Sequence, residues 1–227
     1  MSMRKSQKIA VLAGTLVDTQ MGITLLENHG LAGMAFPLAE NPRRQVEFQL
    51  MPLEEKLVAV RMVLAAAVKQ GCYRVLVYCN SLSGSVDFQA LEAEMGLRIV
   101  TPMDTYREIA WQYQRIGVIA ADAQGLSGIE RILYGVNPEI ELLEGGLLTV
   151  VEGIEAGESP EKLVERFRLT ELAAWFRECG AQALLLGCTH FPYFKAVLEK
   201  RTELPVLEPS ERMIRLLTED HDQSIIR

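Results

Sequence analysis

The sequence predicts an α/β protein of two pseudo-symmetric lobes, each built on a parallel sheet, with an active site in the cleft between them. Three observations predict it. Apolar strand-like runs alternate with helical patterns, which implies right-handed crossovers and parallel strands. The alternation restarts near the middle of the 227 residues. Finally, one arrangement occurs once in each half: an apolar run ends in a cysteine followed by small polar residues, first at 75–81 and again at 184–190.

In order, residues 8–14 read as the first buried strand, and a polar turn over 15–22 leads to a helix from about Ile23. Asp18 and Thr19 lie in that turn, and a helix cap is the simpler reading of their spacing. Residues 34–52, with Pro37, Pro42 and Pro52, read as a short strand and an irregular loop. A solvated loop is also the favoured reading of Arg43 and Arg44, over an anchor for a distal carboxylate. Apolar positions recurring at three and four residues predict a helix over 54–68, which Gly71 ends. The strand 73–78 carries Cys79 at its tip. Asn80, Ser81, Ser83, Gly84 and Ser85 follow and open a helix over 86–95, then come a strand at 97–100 and a helix at 106–113.

The second half repeats this. Residues 115–121 resemble the first strand, 122–128 the first turn, and a helix begins at 129. After a variable stretch, 147–156 and 160–178 read as helices. The strand 183–186 lies under Cys188, with a helix over 193–200. The expected division is 1–103 for the first lobe and 104–207 for the second. A last strand at 206–207 and a helix at 212–218 are candidates to pack back on the first lobe, as is the whole segment 208–227, whose end, 220–227, reads as a polar tail.

Composition excludes several classes. Hydrophobic residues are 49% and charged residues 23%, ordinary for a folded globular chain. No apolar run reaches the ~18 residues of a membrane span. The net charge of −7, without a basic stripe, argues against nucleic acid as a partner. The positive N-terminus is not followed by a signal-peptide core, so the expected location is cytoplasmic, and the four cysteines are expected as free thiols.

Cys72 and Cys179 lie beside Gly71 and Gly180 at helix ends and read as small core residues. Cys79 and Cys188 differ, because Asn80-Ser81 and Thr189-His190 follow them at once. A thiol titrates near 8.5, so it can act as base when ionised and acid when protonated. Inverting a carbon centre needs both at once, on opposite faces. His190 is placed to orient, polarise or reprotonate Cys188. A zinc site from Cys79, Cys188 and His190 fits no common spacing, and no metal or cofactor is expected. His29 and His221 receive no role.

Leu186-Gly187-Cys188-Thr189-His190-Phe191-Pro192 resembles the Leu-Gly-Cys-Thr-His-Tyr-Pro signature of bacterial glutamate racemases, in the cofactor-independent aspartate/glutamate racemase superfamily. Cys79-Asn80-Ser81 resembles that family's Cys-Asn-Thr, Asp18-Thr19 its Asp-Ser, and residues 116–120 the strand opening its second lobe. The resemblance implies racemisation of a free amino acid, glutamate or aspartate, in a homodimer. Cys79 and Cys188 would be the acid/base pair, assisted by Asp18 and His190, and Thr19, Asn80, Ser81 and Thr189 would bind the substrate. The family's Pro-Tyr-Gly is absent from 39–52, and its second-lobe threonines are absent from 121–125. The alternatives are another superfamily reaction, of the maleate isomerase or hydantoin racemase type, and a non-catalytic amino-acid-binding protein.

Overall fold

A computed structural model of the chain describes residues 8–219; the expected tail at 220–227 and His221 lie outside the described residues. Two four-stranded parallel sheets form the α/β framework. The first has the order β2-β1-β3-β4, from Ile9–Ala13 (β1), Gly33–Pro37 (β2), Arg74–Val77 (β3) and Arg98–Val100 (β4). The second has the order β6-β5-β7-β8, from Arg115–Ala120 (β5), Glu141–Gly146 (β6), Leu184–Leu186 (β7) and Val206–Leu207 (β8). The orders are the same, so β3 and β7 hold equivalent places beside the first strand of each sheet. Both are fully apolar at their carboxyl ends because helices cover both faces.

Helices follow the strands at once. Thr15 caps α1 (Leu16–Asn28), accepting from the Asp18 N–H at 3.1 Å, and Asp122 caps α7 (Ala123–Val136), accepting from the Gly125 N–H at 2.8 Å. The expected turns at 15–22 and 122–128 are therefore helical, and Asp18 and Thr19 lie inside α1. The expected loop after β2 holds a helix, α2 (Pro42–Leu50), with Asn41 as N-cap and Pro42 at its first position. It precedes α3 (Leu53–Lys69).

Four further features differ from expectation. The helix beyond Cys79 is two helices, α4 (Asn80–Ser85) and α5 (Phe88–Met95), before α6 (Met103–Ile109). The variable stretch contains β6, after which come α8 (Leu148–Glu155), α9 (Pro160–Arg166) and α10 (Leu169–Glu178), the last two separated where Arg168 takes φ 53°. After α11 (Pro192–Glu199), β8 pairs with β7 and so belongs to the second sheet, while α12 (Ser210–Thr218) packs on the first. Met213, Ile214 and Leu217 of α12 are buried with Ile9, Val11, Leu76 and Val100, each contributing about 2 kcal/mol of apolar burial. Arg98 Nη2 donates to the Leu216 carbonyl at 3.1 Å and satisfies one orphan acceptor at that helix end.

The lobes meet where α4 crosses α7, and the crossing is a contact of two backbones. A Cβ added to Gly128 would lie 2.5 Å from the Gly84 Cα, and one added to Gly84 would lie 2.8 Å from the Gly128 Cα. Only hydrogen fits at either position. Among the described residues no helix is long and apolar enough to cross a membrane.

Gly128→Ala should lower stability by about 1–3 kcal/mol, the usual cost of overpacking, although alanine is the better helix former. Urea unfolding checks this; a variant as stable as the parent means that the helices do not meet at this distance.

Candidate active site

Cys79 and Cys188 stand just beyond β3 and β7, and both line one small cavity between the lobes. Asp18, Gln45, Asn80, Ser81, Asp122, Thr189 and His190 supply its polar wall, and Ala121, Leu148 and Val151 an apolar one. It has room for about one water molecule. Thr19 is buried, but its hydroxyl donates to the Thr15 carbonyl at 2.5 Å and it does not line the cavity. The other seven residues singled out from the sequence are brought together.

Asp18 is reached through the start of α1. The capping turn brings its carboxylate back toward the Gly14 N–H, 3.3 Å away, and points the other oxygen across the seam. There Oδ1 accepts from the Thr189 hydroxyl at 2.8 Å and lies 3.6 Å from His190 Nδ1. Burial pushes the Asp18 carboxyl above its ordinary range, opposed by the charge of His190 and by the hydrogen bond from Thr189.

His190 is 2% exposed, and its two ring nitrogens face different partners. Nε2 lies 3.0 Å from Glu155 Oε1, and Nδ1 lies 3.8 Å from the Cys188 sulfur. Burial alone would favour the neutral ring, but the negative charge of Asp18 and the contacts to Cys188 and Glu155 prevail and hold it well above its ordinary value. Glu155 also accepts from the Thr15 hydroxyl at 2.6 Å, so the carboxylate joins the second lobe to the N-cap of α1. Nδ1 is placed to exchange a proton with Cys188 or Asp18.

The Cys79 side is built differently. Asn80 and Ser81 open α4, and Ser81 donates to Asp122 at 3.0 Å across the seam. The Tyr106 hydroxyl donates to Asn80 Oδ1 and fixes the amide's orientation. Asn80 Nδ2 is consequently a buried donor without a partner among the described residues. Gln45 Nε2 donates to the Cys79 sulfur at 2.9 Å. Burial, foremost, and the negative charge of Asp18 push the Cys79 thiol well above its usual range.

Gln45, Tyr106, Asp122 and Glu155 were absent from the sequence reading of the site. Asp122 carried a signal, since it follows an apolar strand and caps a helix as Thr15 does. Glu155 sits 35 positions from His190, with no local motif to mark it. Among the described residues, no group of three or more His, Cys, Asp and Glu side chains is arranged to hold a metal ion.

No family model matches the chain. It is 23% identical over 153 residues to the glutamate racemase of Limosilactobacillus reuteri (strain DSM 20016), covering 65% of this chain and 57% of that protein. Over 169 residues it is 24% identical to the glutamate racemase of Desulforudis audaxviator, covering 72% and 61%. The chain thus spans less than two thirds of the length of either relative. Its fold matches that of a glutamate racemase from Francisella tularensis, solved with D-glutamate, at a TM-score of 0.71 and 20% identity over 94% of this chain and 80% of that one. An aspartate racemase homologue from Pyrococcus horikoshii gives 0.69 at 13% identity, covering 94% and 100%.

A histidine whose folded pKa lies above its unfolded value near 6.5 adds stability that is complete below that value and lost as pH rises through the folded one. His190→Asn should therefore cost about 3 kcal/mol or more at pH 6, the scale for breaking a buried charge pair. The gap to the parent should narrow at alkaline pH. Urea unfolding of both proteins at pH 6 and pH 9 tests this, and a gap that widens toward pH 9 would mean the ring is neutral when folded.

Proposed function

Taking the chain as a glutamate racemase-like member of the aspartate/glutamate racemase superfamily in sequence and fold, we propose that it racemises a free amino acid by two-base proton transfer between Cys79 and Cys188. The observation that carries this reading is the pair of thiols from equivalent strand tips lining one cavity. In one direction the thiolate of one cysteine takes the α-proton and the thiol of the other returns a proton to the opposite face. The bond to the α-hydrogen breaks on one side, a new one forms on the other, and the two sulfurs exchange protonation states. The reverse direction exchanges their roles.

The α-proton of an amino acid is very weakly acidic, so the carboxylate must be held where charge develops. Asn80 Nδ2, buried and unpartnered among the described residues, supplies a donor, and Ser81 and Thr189 add hydroxyls at the wall. His190 and Asp18 manage the proton at Cys188. All four cysteines are free, as this chemistry requires, and a reducing compartment such as the cytoplasm keeps them so.

Glutamate is the first substrate to test, because it is the substrate the curated relatives are named for and D-glutamate is bound in the Francisella structure. A second reading rests on the cavity wall. Ala121, Leu148 and Val151 are apolar and Asp122 adds a carboxylate, which suits a substrate without a distal acid. An allantoin racemase from Klebsiella pneumoniae shares the fold at a TM-score of 0.62 and 17% identity.

Incubating the protein in D2O with single amino acids, and with a hydantoin, should show α-proton exchange by NMR for one class. Cys79→Ser and Cys188→Ser should each reduce racemisation by about 10²–10⁴-fold, the scale of lost general acid–base catalysis. Exchange from one enantiomer alone is the expected residue. Single variants that racemise at the parent rate would falsify the two-thiol mechanism.

A further inference from the structure

The two thiols differ in what can hold them as bases. Cys188 has His190 Nδ1 at 3.8 Å. At Cys79 the neighbouring charges are Asp18 from α1, Cys188 from the tip of β7 and Asp122 at the start of α7, and each disfavours a thiolate there. Its sulfur accepts from a neutral donor, Gln45 Nε2, at 2.9 Å. His190 is the only cationic side chain among the cavity-lining residues, and its contacts go to Asp18, Glu155 and Cys188.

Gln45 is held in place on three sides. It rides on α2, where Asn41 caps the helix by accepting from the Arg44 N–H at 3.0 Å. Its carboxamide fills the space beside Gly14, where a Cβ would overlap it. Arg43, two residues earlier on the same helix, reaches Glu152 of α8 in the other lobe at 3.0 Å. The amide therefore enters the cavity from a helix tied to both lobes.

We propose that Gln45 is a positioning residue for proton transfer at Cys79, its carboxamide N–H holding that sulfur as the thiolate base at the one candidate catalytic thiol without a histidine beside it. The inference rests on the racemase reading above, with Cys79 as one of the two bases. A hydrogen bond to the charged form lowers a thiol's pKa, and one to a thiolate is charge-assisted and stronger than a neutral one. The donor has no charge of its own, so it offsets the surrounding carboxylates without attracting the substrate's ammonium or carboxylate away from the reacting position.

The test reads the thiolate directly and does not need turnover. The full-length protein is labelled with iodoacetamide across a pH series, and modification of Cys79 and of Cys188 is followed by peptide mass spectrometry. In Gln45→Leu the midpoint for Cys79 should move up by about one pH unit, a tenfold loss of thiolate at a given pH, while that of Cys188 stays put. Gln45→Glu, nearly isosteric, should move it further and carries the test if the leucine variant does not fold. An unmoved Cys79 midpoint in a folded variant, or equal shifts at both cysteines, overturns the proposal. With an α-deuterated substrate the primary isotope effect should grow for one enantiomer only, the one whose α-proton goes to Cys79, and equal growth for both counts against it. A parent protein that exchanges no amino acid's α-proton overturns the racemase reading instead, and the labelling result is still readable.

Discussion

Three ionisable groups from both lobes converge at one point: Asp18 from α1 and His190 just past β7, both buried, and Glu155 from α8, partly buried. Taking a carboxylate out of water costs several kcal/mol even after relaxation, and only a well-placed partner offsets it. Here the partner of Asp18 lies across the seam, and the Thr15 hydroxyl reaches back across it to Glu155. The cluster is electrostatically complete only when the lobes are together. What lets them come together is the pair of side-chain-free positions at Gly84 and Gly128, where α4 and α7 touch backbone to backbone. Site and seam are thus one construction, and the histidine that ties the lobes together is also the one that stands beside the Cys188 sulfur.

Equal sheet orders place the two thiols at equivalent points, but their surroundings are unequal. Cys188 has an ionisable neighbour able to change its own protonation state, and Cys79 has a neutral donor, Gln45. For a pair of enantiomers the equilibrium constant is one, so kcat/KM must be the same in both directions whatever the site looks like. Under the proposed racemisation the asymmetry would therefore appear only in kcat and KM separately, and in which proton transfer limits each direction. A duplicated fold accordingly does not require a kinetically symmetrical enzyme.

The central strands were legible because burial on both faces leaves an unbroken apolar run, as in residues 9–13 and 184–186. The edge strand β6 was not, since Glu141, Glu144 and the two glycines Gly145 and Gly146 face an open side and break any pattern. Both helices after the first strands were placed too late, for one reason: Thr15 and Asp122 are N-caps that stand among residues resembling turns. The α2 helix hid behind its prolines, although Asn41-Pro42 is itself a start signal. Cys79, Cys188, Asn80, Ser81, Thr189 and His190 were found because each lies within four positions of a strand tip. Gln45 and Glu155 were missed because only the tertiary fold brings the one to Cys79 and the other to His190.

The cavity has room for about one water molecule, far less than a free amino acid needs. The proposed function would require its walls to part, and the ties around it differ in strength. The Asp18–His190–Glu155 cluster is almost wholly buried, whereas Arg43, which ties α2 to α8, is 79% exposed on its side chain. An exposed ion pair is worth about 0–1 kcal/mol, and a buried pair several times that to break. Opening therefore costs least on the α2 side, which leaves the seam intact. An opening there would draw Gln45 away from Cys79, so the donor proposed for that sulfur belongs to the closed arrangement.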